Sequence, residues 1–98
     1  MTLSWRERRP VETPTANTIA DGIAARVPVP EALELMIEVV DEMTLVDEAE
    51  IAEGTAQLAN ELTSTIEPAA GAAWAAIRKA GAQPGAIGIL ITGGNVSR

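Results

Sequence analysis

The 98-residue chain reads as an α/β protein. Three observations predict this class. "PEALELMIEVVDE" places Leu33, Met36, Ile37 and Val40 at helical spacing. Helix-start signals recur at Asp47 and at Pro68. "AIGILIT", residues 86–92, has the near-continuous aliphatic character of a strand buried on both faces of a parallel sheet. The predicted order is turn, helix, strand, helix, helix, strand, and a closing Gly-Gly-Asn turn.

Residues 1–17, "MTLSWRERRPVETPTAN", are polar and show no periodicity. Pro14 biases Thr13 toward an extended backbone, so this stretch reads as an arm or linker. Residues 18–98 form the folded remainder. "TIADGIAARVPVP" opens it as a short apolar segment interrupted by the turn signal Asp21-Gly22 and closed by Pro28 and Pro30. Pro30 and Glu31 suit the first turn of the helix that follows. Met43 to Val46 reads as a short strand leading into a second helix. There Asp47 is the N-cap and Glu50, three residues on, completes a variant of the capping box. Ile51, Thr55, Leu58, Ala59 and Leu62 make that helix's inner stripe, and Gly54 weakens it unless something packs closely there. "IEPAAGAAWAAIRKAG" announces the third helix, with Pro68 at N1 and Gly81 as its stop. "AQPG" is a loop. Two or three strands are fewer than a parallel sheet needs, so the expectation is a piece of a larger fold.

Composition narrows the function classes. Hydrophobic residues make up 47% of the chain but aromatic ones only 2%, Trp5 and Trp74, so the core is built of small aliphatics. Net charge is −7. Nucleic acid and anionic membranes are bound through basic patches, and neither is expected as a partner. Cysteine is absent, which excludes disulfides and thiolate chemistry and suits a reducing cytoplasm. Histidine is absent too, which excludes a Ser-His-Asp triad and, with no cysteine, a structural zinc site. No secretory signal is visible at Met1, and no apolar run approaches a membrane span. The carboxylates of "DEMTLVDEAEIAEG" are spread as a solvated surface and not as a calcium loop, and no Gly-rich phosphate loop is present.

Four stretches remain as candidates, each with a plainer reading beside it. Thr92-Gly93-Gly94-Asn95 follows the carboxyl end of the predicted strand, where open α/β sheets bind ligands, or is simply a strand exit. Glu67 sits at a helix N-terminus, where a dipole and capping role alone would account for it. Asp21-Gly22 is a turn whose functional version is backbone approaching a flat ring. Lys79, the one lysine, lies beside Arg78 in the last turn of a helix, the place for a dipole-complementing charge.

Taken in order, "SWR…P…TIADGIA…P…IEVVDEMTLVDEAEIAEG…IEPAAGAA…GILITGGN" resembles the C-terminal part of the threonine/serine dehydratases, pyridoxal-phosphate (PLP) enzymes of fold type II to which serine racemase also belongs. The resemblance runs from about Trp5 to Val96. It implies a partial three-layer α/β/α piece of the large PLP-binding domain, and a parent reaction that deaminates L-threonine or L-serine to a 2-oxo acid and ammonia. It implies that the Thr92 hydroxyl bonds the pyridine nitrogen of PLP, that Gly22 lies against one face of the ring, and that Glu67 approaches the pyridine edge. Gly93, Gly94 and Asn95 shape the turn that presents Thr92. The family's cofactor lysine, its Gly-rich phosphate loop, the Asn at the ring hydroxyl and a carboxylate metal site all belong to segments without counterparts here, and Lys79 does not match that lysine. The resemblance therefore implies a fragment, inactive alone, with no catalytic residue and no metal ligand of its own. Two alternatives stay open: a non-catalytic α/β domain that pairs with further copies of itself, and one half of a split enzyme working with an N-terminal half in trans.

Overall fold

The computed structural model describes residues 1–81 and 84–92. These residues form four α-helices and a 3-10 turn, divided between two compact units.

The first unit comprises Met1–Asn17 and Ala24–Leu45. Its opening stretch, polar and without periodicity, nevertheless forms helix α1, Thr2–Glu7. Ser4 is 1% exposed, and its hydroxyl both accepts from the Val11 amide at 2.9 Å and donates to the Val11 carbonyl at 3.2 Å. That pair folds the chain back after α1, which ends on Arg8 in the left-handed region. The Trp5 indole N–H donates to the Met36 carbonyl at 3.3 Å, tying α1 to helix α2, Pro30–Val39. Pro30 opens α2 at its first position, where its missing N–H costs nothing. Of the predicted face, Leu33 is buried and Met36, Ile37 and Val40 are half-buried.

The second unit holds Thr18–Ile23 and the chain from Val46 onward. Helix α3, Glu48–Leu62, starts as its sequence predicts: the Asp47 carboxylate accepts from the Glu50 amide at 2.7 Å, and the Glu50 carboxylate accepts from the Asp47 amide at 2.9 Å. Helix α4, Pro68–Ala80, returns antiparallel to it: Glu50 faces Lys79, Gln57 bonds Trp74, and Leu58 packs on Ile66 and Ala70. The approach is close because the contact is made of glycines. A Cβ added to Gly54 would sit 2.5 Å from the Gly71 carbonyl oxygen, the close packing that justifies a helical glycine there. Ile51, Leu58 and Thr55 keep the inner stripe of α3, while Leu62 is exposed.

Asp21–Ile23 forms a 3-10 turn packed on α4, and Ala20 before it joins Ile51 and Ala72 in a buried cluster. The Ile19 amide donates to the Glu48 carboxylate at 2.8 Å. The Thr18 hydroxyl, and after it this amide, holds that carboxylate below its usual range. A depressed folded pKa contributes stability that is present above the unfolded value, about 4.3, and lost as pH falls through the folded value. Glu48→Gln is therefore expected to flatten the loss of stability on acidification below about pH 4.3, read by urea melts across that range.

The α/β expectation is overturned. Among the described residues there is no strand: Met43 to Val46 and residues 86–92 carry no ladder, so no piece of a three-layer α/β/α sandwich is formed. Composition made both runs competent for a strand, but a strand exists only through a neighbour in register. Neither run finds one, and Ile87, Leu90 and Ile91 are left exposed.

Candidate functional site

Three of the four predicted site residues fall in the second unit, on different elements. Glu67 is the N-cap of α4, extended in backbone and 8% exposed, and its side chain makes no capping bond. The helix terminus is instead closed by backbone, since the Glu67 carbonyl accepts from the Ala70 and Gly71 amides. A buried carboxylate at a helix N-terminus that is not used as a cap is unusual, because capping is the ordinary reason for an acidic residue there. Ile66 beside it is buried against Leu58 and Ala70.

Thr92 is brought to that point by the main chain. The Glu67 amide donates to the Thr92 carbonyl at 3.1 Å, so two residues far apart in sequence share one hydrogen bond. The Thr92 hydroxyl oxygen is buried and has no hydrogen-bond partner among the described residues. Leaving such a group unsatisfied costs about 1–3 kcal/mol, so folding alone gives no reason to bury it. Gly22 lies exposed in the 3-10 turn that packs on α4. Gly93, with Gly94 and Asn95, lies outside the described residues.

Lys79 is placed elsewhere. Its ammonium is 3.3 Å from a Glu50 carboxylate oxygen, in the last turn of α4. Beside it Arg78 reaches Glu53 at 3.8 Å, and these residues with Gln57 line an open groove of about 210 Å³ between α3 and α4. Glu67 and Lys79 stand at opposite ends of α4, about 18 Å apart at the helical rise per residue.

The family model described as pyridoxal-phosphate dependent enzyme matches residues 1–93. The chain belongs to the pyridoxal-phosphate-dependent enzymes. No curated protein and no solved structure matches it.

How far this family member's own residues fit the cofactor depends on which end of PLP is considered. At the ring nitrogen the donor chemistry of one side chain suits the group. That atom is a single acceptor in a flat apolar ring, and the orphaned Thr92 hydroxyl is a donor lacking an acceptor. At the covalent end they do not fit, since the one lysine is ion-paired at the far end of α4. No step is assigned to Lys79.

Sequence spacing did not indicate the bond between Glu67 and Thr92, because a backbone amide and carbonyl leave no signature in residue type. The close approach of α3 and α4 did leave one, in Gly54 and the small residues of "PAAGAA". No helix among the described residues is long and apolar enough to cross a membrane, and none of their His, Cys, Asp or Glu residues cluster as a metal site.

Proposed function

We propose that this pyridoxal-phosphate-dependent enzyme is of the threonine/serine dehydratase kind, and that the chain supplies the ring-nitrogen rim of its site. The reaction is the deamination of L-threonine or L-serine to a 2-oxo acid and ammonia, in the cytoplasm. The observation that carries the reading is the buried, unpartnered Thr92 hydroxyl held beside Glu67. When bound, PLP supplies the electron sink that loosens the α-proton and the β-substituent of an amino acid. The chain's own part is to donate the Thr92 O–H to the ring nitrogen. A neutral hydroxyl does not hold that nitrogen protonated, which tempers the sink and suits β-elimination over transamination. Gly22 offers backbone without a side chain to a ring face, and Glu67 borders the pyridine edge. The covalent lysine and the phosphate loop are not among these 98 residues, so these residues by themselves are expected to show no turnover.

Thr92→Val tests the rim through two opposed effects. Valine keeps the shape and removes the orphaned polar group, so the ligand-free chain is expected to gain about 1 kcal/mol in urea melts. The same variant is expected to bind pyridoxine, which carries the cofactor ring without its phosphate or aldehyde, about tenfold more weakly than wild type. Thr92→Ser should retain the affinity. A Thr92→Val protein that is less stable, or that binds pyridoxine as well as wild type, contradicts the assignment.

A further inference from the structure

Thr18–Ile23, the six residues that carry Gly22, belong to the second unit, while the chain before and after them, Met1–Asn17 and Ala24–Leu45, belongs to the first. So short a stretch needs anchors, because ordering each residue costs backbone entropy. One anchor is apolar: Ala20 is buried against Ile51 and Ala72. The other is a single carboxylate. Glu48 accepts from the Ile19 amide at 2.8 Å and from the Thr18 hydroxyl. That hydroxyl accepts in turn from the Ala20 amide at 3.1 Å, and the Ala20 carbonyl accepts from the Ile23 amide at 3.1 Å. The bonds run from one side chain through Thr18, Ile19 and Ala20 to the residue just past Gly22.

Capping α3 does not account for these bonds. Glu48 is the first residue of that helix, where an acidic side chain ordinarily serves its own terminus. The terminus is already closed by the reciprocal bonds of Asp47 and Glu50. Glu48 instead reaches a residue twenty-nine positions back in the chain. Its partners lie where the candidate site lies: Ala72, on which Ala20 packs, is about 7.5 Å along α4 from Glu67 at the helical rise per residue. Building on the reading that Gly22 meets the cofactor ring, we infer that Glu48 is the positioning residue for that ring face. Through Thr18 and Ile19 it holds the turn on which Gly22 stands exposed. A glycine offers bare backbone to a flat ring only while its turn keeps one conformation, and affinity falls with the fraction of molecules that keep it.

Glu48→Ala tests this through two separate readouts. The side chain is exposed and the Asp47–Glu50 cap is untouched, so α3 is expected to form as before. In the ligand-free variant, amide exchange at Ile19 and Ile23 is expected to quicken about threefold or more beyond any change in global stability, and exchange at Glu67 is not. Affinity for pyridoxine is expected to fall about threefold, as when about a third of the molecules keep the turn in place. Glu48→Gln keeps an acceptor oxygen of the same reach and is expected to restore both, which a role for surface charge alone would not allow. Thr18→Val, which removes the hydroxyl and keeps the shape, should move both readouts in the direction of Glu48→Ala. Unaltered exchange at Ile23 in Glu48→Ala overturns the inference, as does a Gln variant no better than Ala. Quickened exchange with unchanged pyridoxine affinity also overturns it, the turn then being held for the fold alone. A wild-type chain that takes up no pyridoxine fails differently: it removes the ring-site reading itself, and the inference with it.

Discussion

Gly71→Ala is expected to destabilise the α3–α4 unit by about 1–3 kcal/mol, and to lower Tm by about 4–8 °C for each kcal/mol lost. The sign is the informative part. In an exposed helix interior the same change gains up to about 1 kcal/mol, because alanine is the better helix former. Here the added Cβ would collide with the Thr55 hydroxyl and come within 2.8 Å of the Thr55 Cα and Cβ. Thr55 cannot swing away freely, since its hydroxyl donates to the Ile51 carbonyl at 2.7 Å. The backbone of α3 would have to move from α4, loosening the ion pairs and apolar contacts along their length. Gly88→Ala lies outside the helices, with nothing within 4 Å of the added carbon, so it lacks this clash and should shift Tm little. A higher Tm for Gly71→Ala would mean the helices do not approach as closely as described.

Ile66→Ala is expected to cost about 2–4 kcal/mol, the usual range for emptying a buried aliphatic position. Its weight comes from scarcity. Of the buried aliphatic residues among those described, four are alanines, and Leu33, Ile51, Leu58 and Ile66 are the larger ones. Ile66 packs on Leu58 and Ala70 and immediately precedes Glu67, so its loss reaches the candidate site as well as the core. Amide exchange at Glu67, whose proton bonds the Thr92 carbonyl, should speed up by more than the change in global stability accounts for. Denaturant melts and exchange rates, measured on the same variant, separate the two effects.

The helices were legible because their signals are local. Asp47 with Glu50, Pro30 and Pro68 at first positions, and Gly81 at the end of α4 each act within one turn of the chain. Strands are not local, and the apolar runs at Met43–Val46 and 86–92 state a preference that only a neighbouring strand can realise. The short helix α1 carries no such local signal: its hold on the fold comes from Ser4 bonding Val11 and Trp5 bonding Met36, not from an apolar stripe. At the candidate site, residue types alone left plainer readings open, and it was the family resemblance in the order of motifs that pointed to Thr92, Glu67, Gly22 and Gly93. That Glu67 and Thr92 share a hydrogen bond required the folded chain, and Gly93 lies outside the described residues.

On the proposed reading, the ring of the cofactor is received where Glu67 and Thr92 meet, and not at the lysine. Titrating the isotope-labelled chain with pyridoxine, while following backbone amide resonances, tests it most directly. Weak, saturable shifts centred on Gly22, Glu67 and Thr92 are expected, with Glu50, Arg78 and Lys79 unmoved. Shifts confined to the groove between α3 and α4, or a saturating response that leaves Thr92 and Glu67 untouched, would contradict it.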